Sequence, residues 1–495
     1  MFDAPSIDFH AFAPELVVLG TLLVVLFVDL VFEERGSWST PTLSGIGLLA
    51  AMVPVLTLAV DGDDRSMFGG AYVVDDFALV LKGLFLLAGV VTILLSSDYI
   101  ADGDYYESEY YFMLLSSLLG MTVMASSRDL ISIFIALELL SIPAYLLAGW
   151  RKRDLKGNEA SLKYYLLGVF ASAVMLYGMS LVFGVSGSTL LTTIGERLTG
   201  EEGLAGSPLI TVGIVFVIVG FAFKISAVPF HTWAPDTYEG APTPITAFLS
   251  VASKAAGFVA LLQLVFIGFL GRDDVWAPMF WILAALTMTV GNLIALRQRN
   301  VVRLLAYSSV AQAGFMLIPF AVAADLPDGA GSAVAPVVTY LLIYAAMNLG
   351  AFAVVLAVAR KTRSGDIASF GGLFEYAPGL AVLMTIFLFA LAGIPPLAGW
   401  LAKIVVFRSI LQAGTPAAVV LGVIAAVNTV ISLYYYASIA REMWMRPVPD
   451  EDRTPVRITP AIGAALALCA AGTIVLGVTN VATRFGDLAI FSVLP

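Results

Sequence analysis

Four charged residues lie inside apolar runs of the sequence, where charges are otherwise rare. Glu138 is in LISIFIALELLSIPAYLL, Lys224 in VIVGFAFKISAVPF, Lys254 in ITAFLSVASKAAGFVALL and Lys403 in GIPPLAGWLAKIVVF. A charge at the centre of a bilayer costs about 2.5–3.5 kcal/mol even on insertion scales, so each residue needs a partner or a role. Burial favours the neutral form of a lysine and a nearby carboxylate favours the charged form. Buried lysines with an acidic partner therefore predict proton transfer.

His231 is the one histidine close to these residues along the chain. It follows Pro229 by two residues, in the span that also holds Lys224. An imidazole titrates near neutral pH, so His231 could pass a proton between Lys224 and Lys254. It could equally be a hydrogen-bonded residue that stabilises the local backbone, and the sequence leaves both roles open.

Other interpretations of the buried charges also remain open. Glu138 could form a purely structural ion pair with one lysine and hold two helices together. One carboxylate cannot neutralise three lysines, however, and a row of buried lysines is more typical of a proton relay. Lys82 and Lys163 are weaker candidates, because both could extend to a membrane interface.

The elements that must position these side chains are transmembrane helices. Of the 495 residues, 60% are hydrophobic and 13% are charged, which is about half the charged fraction of a soluble domain. Apolar runs long enough to cross a bilayer predict an all-α polytopic membrane protein with about fourteen transmembrane helices. A short polar helix is expected at the surface between the sixth and seventh spans. The net charge of −10 gives no support for nucleic-acid binding.

The positive charges predict the orientation in the membrane. Fifteen of the 26 lysines and arginines fall in the loops on one side of the spans and six in the loops on the other. Because Lys and Arg are enriched on the cytoplasmic side, the richer side is predicted to be cytoplasmic, and an even number of spans puts both termini outside. The stretch before the first span has no Lys or Arg, so that span is not expected to be a signal peptide.

Two spans contain prolines that would interrupt a helix. The seventh reads FAFKISAVPFHTWAPDTYEGAPTP and the twelfth reads FALAGIPPLAGWLAK; Pro229 precedes Trp233 by four residues, as Pro396 precedes Trp400. Proline removes a backbone hydrogen bond and frees carbonyl groups inside the membrane. Because the breaks are five spans apart, the second copy would run in the opposite direction, which is typical of inverted repeats around a transport site. Two unrelated kinks are the alternative.

The inverted repeats predict a division of the chain into four segments. Residues 1–105 would be an N-terminal three-helix segment, 106–270 the first five-helix repeat, 271–445 the second, inverted five-helix repeat, and 446–495 a loop with the last transmembrane helix. Each repeat would contain one discontinuous helix.

The sequence offers few ligands for a redox group. Its single cysteine, Cys469, lies in an apolar run, it has two histidines, and no glycine-rich nucleotide loop follows a strand pattern. Iron–sulfur clusters and thiolate metal sites need several cysteines. We therefore expect no cofactor and no metal in this chain.

The segment PFHTWAPDTYEGAPTPITAFLSVASKAAGF, with Glu138 two spans earlier and Lys403 beside the second break, resembles the antiporter-like membrane subunits of respiratory complex I (NADH-quinone oxidoreductase). The resemblance covers almost the whole chain. Within this family the YEGAPTP stretch is most similar to subunit N. Lys403 differs from subunit M, where that position is usually Glu, and the short stretch after the last span differs from the lateral helix of subunit L.

This resemblance implies a function and a role for each residue. Glu138 would modulate Lys224, Lys254 would be the central connecting lysine, and Lys403 would be the terminal proton carrier. The chain would export protons across the plasma membrane of a bacterium, driven by NADH oxidation and quinone reduction elsewhere. Partner subunits would bind FMN, iron–sulfur clusters, NADH and quinone. These partners would be the other membrane subunits of complex I within the lipid bilayer and, through them, its hydrophilic redox arm.

Two alternatives to a proton-pumping subunit are considered. The first is a subunit of an Mrp-type cation/proton antiporter, which has no redox partners but shares the Pro-x-His-x-Trp-x-Pro core. The second is a structural membrane subunit whose buried charges only fix the packing of its helices.

Overall fold

The computed structural model describes residues 7–31, 39–103, 107–200, 204–449, 451–489 and 491–492. Almost every described element is helical. The described helices of eight or more residues are α1 (Ala13–Val31), α2 (Ser39–Asp61), α3 (Asp76–Ala101), α4 (Glu107–Ser126), α5 (Leu130–Ala148), α6 (Leu155–Ser186), α7 (Leu191–Thr199), α8 (Pro208–Lys224), α9 (Trp233–Gly240), α10 (Thr243–Gly268), α11 (Asp273–Ala295), α12 (Val301–Val322), α13 (Val334–Thr362), α14 (Pro378–Ala392), α15 (Ala398–Ala413), α16 (Pro416–Met445), α17 (Pro460–Val478) and α18 (Val481–Leu488).

The described helices confirm the predicted number of spans. Ten of them are long and apolar enough to cross a membrane by length and composition. The apolar α1, the 20-residue α4 and two broken pairs, α8 with α9 and α14 with α15, bring the number of spanning elements to fourteen. The short α7 is the surface helix expected between the sixth and seventh spans.

Several helices begin where a polar side chain accepts hydrogen bonds from the first turn. The carboxylate of Asp75 accepts from the backbone N–H of Ala78 and starts α3, and that of Asp129 starts α5 in the same way. Asn300 caps α12, and Thr459 caps α17. These caps satisfy N–H groups that have no partner within the helix, so the helix starts could be anticipated from residue type.

A small hairpin between α2 and α3 was not predicted. Strands β1 (Arg65–Met67) and β2 (Tyr72–Val74) pair antiparallel, with Arg65 opposite Val74 and Met67 opposite Tyr72. Three-residue strands are too short to show an alternating pattern in the sequence.

Burial separates the central helices from those that face lipid. Every residue of α10 from Pro244 to Gly268 is buried, and α12 and α13 are mostly buried. The helix α2 instead exposes an apolar stripe at helical spacing: Ile46, Leu49, Val53, Leu56 and Val60. Lipid covers such a stripe in a membrane, so the apolar surface itself does not mark a partner.

Both predicted helix breaks are present at the proline positions. The first lies between α8 and α9, where Ser226 has a positive φ of 60°. The second lies between α14 and α15, where Gly393 has a φ of 86°. The helices α4–α10 form five spans, as do α11–α16, and in each set the broken span is the fourth. Because each set has an odd number of spans, the second set crosses the membrane in the opposite direction to the first. This arrangement agrees with inverted repeats that each hold one discontinuous helix.

Lys82 does not extend to a membrane interface, the alternative that the sequence left open. Its side chain is fully buried, with the ammonium nitrogen 3.1 Å from Glu15 Oε1 and donating to Tyr72 Oη at 2.9 Å. Glu15 lies in the first turn of α1 and supplies a buried counter-ion for this lysine.

The buried ion pair of Glu15 and Lys82 should contribute to the stability of the fold. Lys82→Met should destabilise the fold by about 3–5 kcal/mol, because it leaves the Glu15 carboxylate buried without its cation. The double variant Glu15→Leu/Lys82→Met should recover most of this loss. The measurement is the temperature at which half of the chain leaves the soluble fraction of detergent-solubilised membranes. A Lys82→Met protein that melts like the matched control Lys156→Met, a change at an exposed lysine, would contradict it.

A second prediction concerns the stability effect of a side chain at Gly257, where α10 contacts the first helix break. A Cβ atom at this position would lie 2.9 Å from Ile225 Cγ2 and 3.2 Å from Lys224 Cγ. Glycine costs a helix about 0.5–1 kcal/mol relative to alanine, so an alanine with free space should stabilise. We expect Gly257→Ala to lower the melting temperature in the same assay, and Gly184→Ala, whose Cβ meets nothing within 4 Å, to maintain or raise it. Equal behaviour of the two variants would show that the contact is not tight.

Candidate proton-transfer site

Lys224 is the last residue of α8 and lies at the first helix break. Its ammonium nitrogen donates to Ser141 Oγ at 2.8 Å and approaches Tyr164 Oη at 3.5 Å. The Tyr164 ring stacks on Trp233 at a centroid distance of 4.4 Å, and Trp233 Nε1 donates to the Phe223 carbonyl at 3.0 Å. A carbonyl at the broken end of α8 is thus satisfied by the first residue of α9, as a break in a membrane helix requires.

Glu138 does not form an ion pair with Lys224 in this structure. Its Oε1 is buried and has no hydrogen-bond partner among the described residues. Lys224 instead contacts Ser141, which follows Glu138 by three residues on the same face of α5. The structural ion pair considered from the sequence is therefore absent here, although the acid and the lysine flank the same serine.

Lys254 lies in the middle of α10, directly after a stretch of π-helix at Leu249–Ser253. It is buried, and its ammonium nitrogen donates to the backbone carbonyl of Ser309 at 2.7 Å and to the hydroxyl of the same residue. π-Helical turns inside α-helices occur frequently at functional sites. An acidic partner is not among the hydrogen-bonding groups of this lysine.

The surroundings of Lys224 and Lys254 meet across α10. Gly257, one turn after Lys254, packs against the aliphatic stem of Lys224. Ser253, the residue before Lys254, faces the hydroxyl of Tyr164, which is also a neighbour of the Lys224 ammonium group. Tyr164, a neighbour of the Lys224 ammonium group, therefore also lies beside the part of α10 that holds Lys254.

Lys403 lies on α15, just after the second break. Its ammonium nitrogen donates to the carbonyl of Ala392, the last residue of α14, at 2.6 Å, and it is 4.9 Å from the centroid of the Phe315 ring. The free carbonyls at the two breaks thus have different hydrogen-bond donors. Trp233 donates to the carbonyl at the first break. At the second break the donor is Lys403, and Trp400 is 44% exposed. The shared Pro–Trp spacing does not predict a shared role for the tryptophans.

A row of polar side chains on α12 lies between the contacts of Lys254 and those of Lys403. Ser308, beside the serine that Lys254 contacts, hydrogen-bonds to Tyr436 Oη. Gln312, one turn further, donates to Tyr436 Oη at 3.3 Å and to the Leu391 carbonyl at 2.9 Å. The next carbonyl along the chain, that of Ala392, is the acceptor for Lys403.

His231 lies in the loop of the first break and is buried. Its Nδ1 has no hydrogen-bond partner among the described residues, and its ring meets that of Tyr307 edge-on at 6.3 Å between centroids. No hydrogen bond among the described residues joins this ring to Lys224 or Lys254. Its part in a relay stays a prediction.

An ion-pair network lies at the end of the first broken span. Asp236 on α9 contacts Arg303 at 2.9 Å and Lys163 at 2.8 Å, and Arg303 also contacts Glu239 at 2.8 Å. Lys163 is 41% exposed, as its predicted place near an interface requires, and it also pairs with Glu159. The network links α6, α9 and α12 at one end of the bundle.

The sequence did not single out the neutral residues that contact the lysines. Ser141, Tyr164 and Ser309 are common residue types in helices, and nothing in their spacing marks them. Only helix packing brings them to the ammonium groups. A search for hydroxyls one turn from a buried acid, as Ser141 is from Glu138, could have found one of them.

Comparison with known proteins identifies the family of this chain. Residues 127–429 match the family model described as NADH:quinone oxidoreductase/Mrp antiporter, transmembrane. The chain is 39% identical to NADH-quinone oxidoreductase subunit N of Trichlorobacter lovleyi, with 96% of this chain and 95% of that protein covered.

Solved structures give the same result. A chain of respiratory complex I from Thermus thermophilus with bound aureothin is 31% identical, with a TM-score of 0.76 over 94% of this chain and 97% of that one. A chain of the Mrp complex from Dietzia sp. has a TM-score of 0.83 over 98% of this chain and 97% of that one, but at 20% identity it shares the fold alone. The chain therefore belongs to the NADH:quinone oxidoreductase/Mrp antiporter family of membrane proteins and, within it, to subunit N.

Proposed function

We propose that this chain carries protons across the membrane as subunit N of an NADH-quinone oxidoreductase. The observation that carries the proposal is the row of three buried lysines, two of them at helix breaks, whose polar neighbours follow one another through the centre of the bundle. Neutral hydroxyl groups can pass a proton because the same oxygen accepts one proton and donates another, and the lysines can store it. A scaffold would not need three buried ammonium groups.

Each site residue has a step in this relay. Lys224 receives a proton next to Glu138, whose carboxylate favours the charged lysine. The proton passes to Lys254 along Tyr164 and Ser253. From Lys254 the hydroxyls of Ser309, Ser308 and Tyr436 lead toward Lys403, the terminal carrier, and ordered water completes the path beyond them. His231, beside the first break, is the further member of the relay, and its unpaired Nδ1 supports this role.

The energy comes from electron transfer in partner subunits. The other membrane subunits of complex I are direct partners, and through them the chain connects to a hydrophilic redox arm that binds FMN, iron–sulfur clusters, NADH and quinone. One cysteine in 495 residues supports the proposal that these groups lie outside this chain. The chain contributes proton translocation to the enzyme and no redox centre.

The membrane is the plasma membrane of a bacterium, with both termini outside. The distribution of Lys and Arg over the loops supports this orientation. Protons would then enter near the network of Asp236 and Arg303 on the cytoplasmic side and leave beyond Lys403 on the outer side.

The Mrp-type antiporter makes a different prediction about partners. Native gels of solubilised membranes, stained for NADH dehydrogenase activity, should contain this chain in the active band. Recovery of the chain only with other antiporter subunits, in bands without this activity, would favour the antiporter. The 39% identity to a subunit N over nearly the whole chain is the observation that favours complex I.

Variants of Lys254 test the relay. Lys254→Ala should lower NADH-driven proton pumping at least about tenfold in an assembled complex, because the central carrier is lost, and Lys254→Arg should impair it too, because guanidinium hardly deprotonates in proteins. Pumping is measured by quenching of a pH-sensitive dye in proteoliposomes, and assembly on native gels.

The matched control is Lys156→Ala, which removes a lysine that is 74% exposed. Its pumping should match the wild type, since an exposed ion pair contributes little. Normal pumping by an assembled Lys254→Ala complex would contradict the relay. Normal pumping by Lys254→Arg alone would show that a fixed positive charge is sufficient.

A further inference from the structure

Ser141 is the residue that Lys224 contacts in place of the acid beside it. The ammonium nitrogen donates to Ser141 Oγ at 2.8 Å, while Glu138 Oε1 is buried without a hydrogen-bond partner among the described residues. Because the two residues are three positions apart on one helix, their Cβ atoms are about 5–6 Å apart. Two acceptors for the same ammonium group therefore lie side by side on α5.

The rest of the Lys224 site is fixed in place. Its stem packs against Gly257 on α10, and its second neighbour, Tyr164, stacks on Trp233 with an angle of 11° between the rings. Neither contact leaves room for a large movement of the lysine. Rotation about the last bonds of the side chain is enough to move the ammonium group between two neighbouring acceptors on α5, the serine and the carboxylate.

The two acceptors have opposite effects on the proton of Lys224. A carboxylate in contact holds the proton on the lysine, because the charged form gains a counter-ion in surroundings of low dielectric constant. A serine hydroxyl accepts the same hydrogen bond without a negative charge and can itself donate once the lysine is neutral. The proton is therefore released more easily while the lysine is on Ser141.

We propose that Ser141 is a positioning residue of the relay, which competes with Glu138 for the ammonium group of Lys224 and keeps the ion pair open. This inference rests on the proposed function, since it concerns the release of a proton from Lys224 toward Lys254. The structure contains the open arrangement. In the closed arrangement Lys224 turns to Glu138 and retains its proton.

The test uses the assembled complex in proteoliposomes and follows NADH-driven proton pumping. Ser141→Ala removes the competing acceptor, so the ion pair should close and pumping should fall at least about fivefold, since a hydrogen bond to a charged group changes an equilibrium by about tenfold or more. Ser141→Thr keeps the hydroxyl and should retain most of the rate. The matched control is Ser117→Ala, which removes a buried serine that donates to the Leu140 carbonyl at 2.8 Å and does not contact Lys224.

A double variant separates positioning from a structural effect. If Ser141 acts only through competition with Glu138, then Glu138→Gln/Ser141→Ala should pump no more slowly than Glu138→Gln alone. Multiplied losses in the double variant, wild-type pumping by Ser141→Ala, or failure of Ser141→Thr to restore the rate would each overturn the inference.

These outcomes are distinct from failure of the proposed function. If assembled complexes with Lys224→Ala and Glu138→Gln both pump normally, the relay itself is wrong. If those two variants lose pumping while Ser141→Ala keeps it, the relay stands and only the role of Ser141 is wrong.

Discussion

The main constraint on this structure is that three lysine ammonium groups are buried in the membrane without a counter-ion among the described residues, so that other groups must accept their hydrogen bonds. Lys224, Lys254 and Lys403 are buried, and none of them forms an ion pair within the described part of the chain. Each ammonium group instead donates to a hydroxyl or to a backbone carbonyl. Such acceptors support either protonation state of the lysine, whereas an ion pair would favour only one.

The helix breaks supply part of this environment. A continuous helix uses its own carbonyls, whereas the interrupted end of α14 leaves the Ala392 carbonyl free for Lys403. The close approach of the two half-helices requires a glycine at position 399, where a Cβ would lie only 1.7 Å from the Ala390 carbonyl oxygen. The contrast with Lys82 supports the same argument. That lysine has a buried acid within 3.1 Å, as expected of a structural charge.

Much of the fold could be predicted from the sequence, because lipid imposes a simple rule. Every span must be an apolar helix of about 20 residues, so run length alone locates the fourteen spans, and prolines locate the two breaks. Charges are rare enough that Glu138 and the lysines are conspicuous. The division at residues 105, 270 and 445 stays a prediction, because helix bounds alone do not define domains.

The partners of the buried charges could not be predicted. Ser141 and Ser309 contact lysines through helix packing, which has no signature in local sequence. The same limit applies to Lys82, whose partner Glu15 is 67 positions away in the chain. Residue types therefore indicated the chemistry, and only the packing showed which groups take part.

The central claim is that one polar path joins Lys224, Lys254 and Lys403. The most direct measurement is an electron cryomicroscopy map of the intact complex at a resolution that reveals ordered water. We predict water density that connects the hydroxyls near Lys224 to Lys254, and Lys254 along Ser309 and Gln312 to Lys403. Tightly packed apolar side chains without water between any two of these lysines would contradict it.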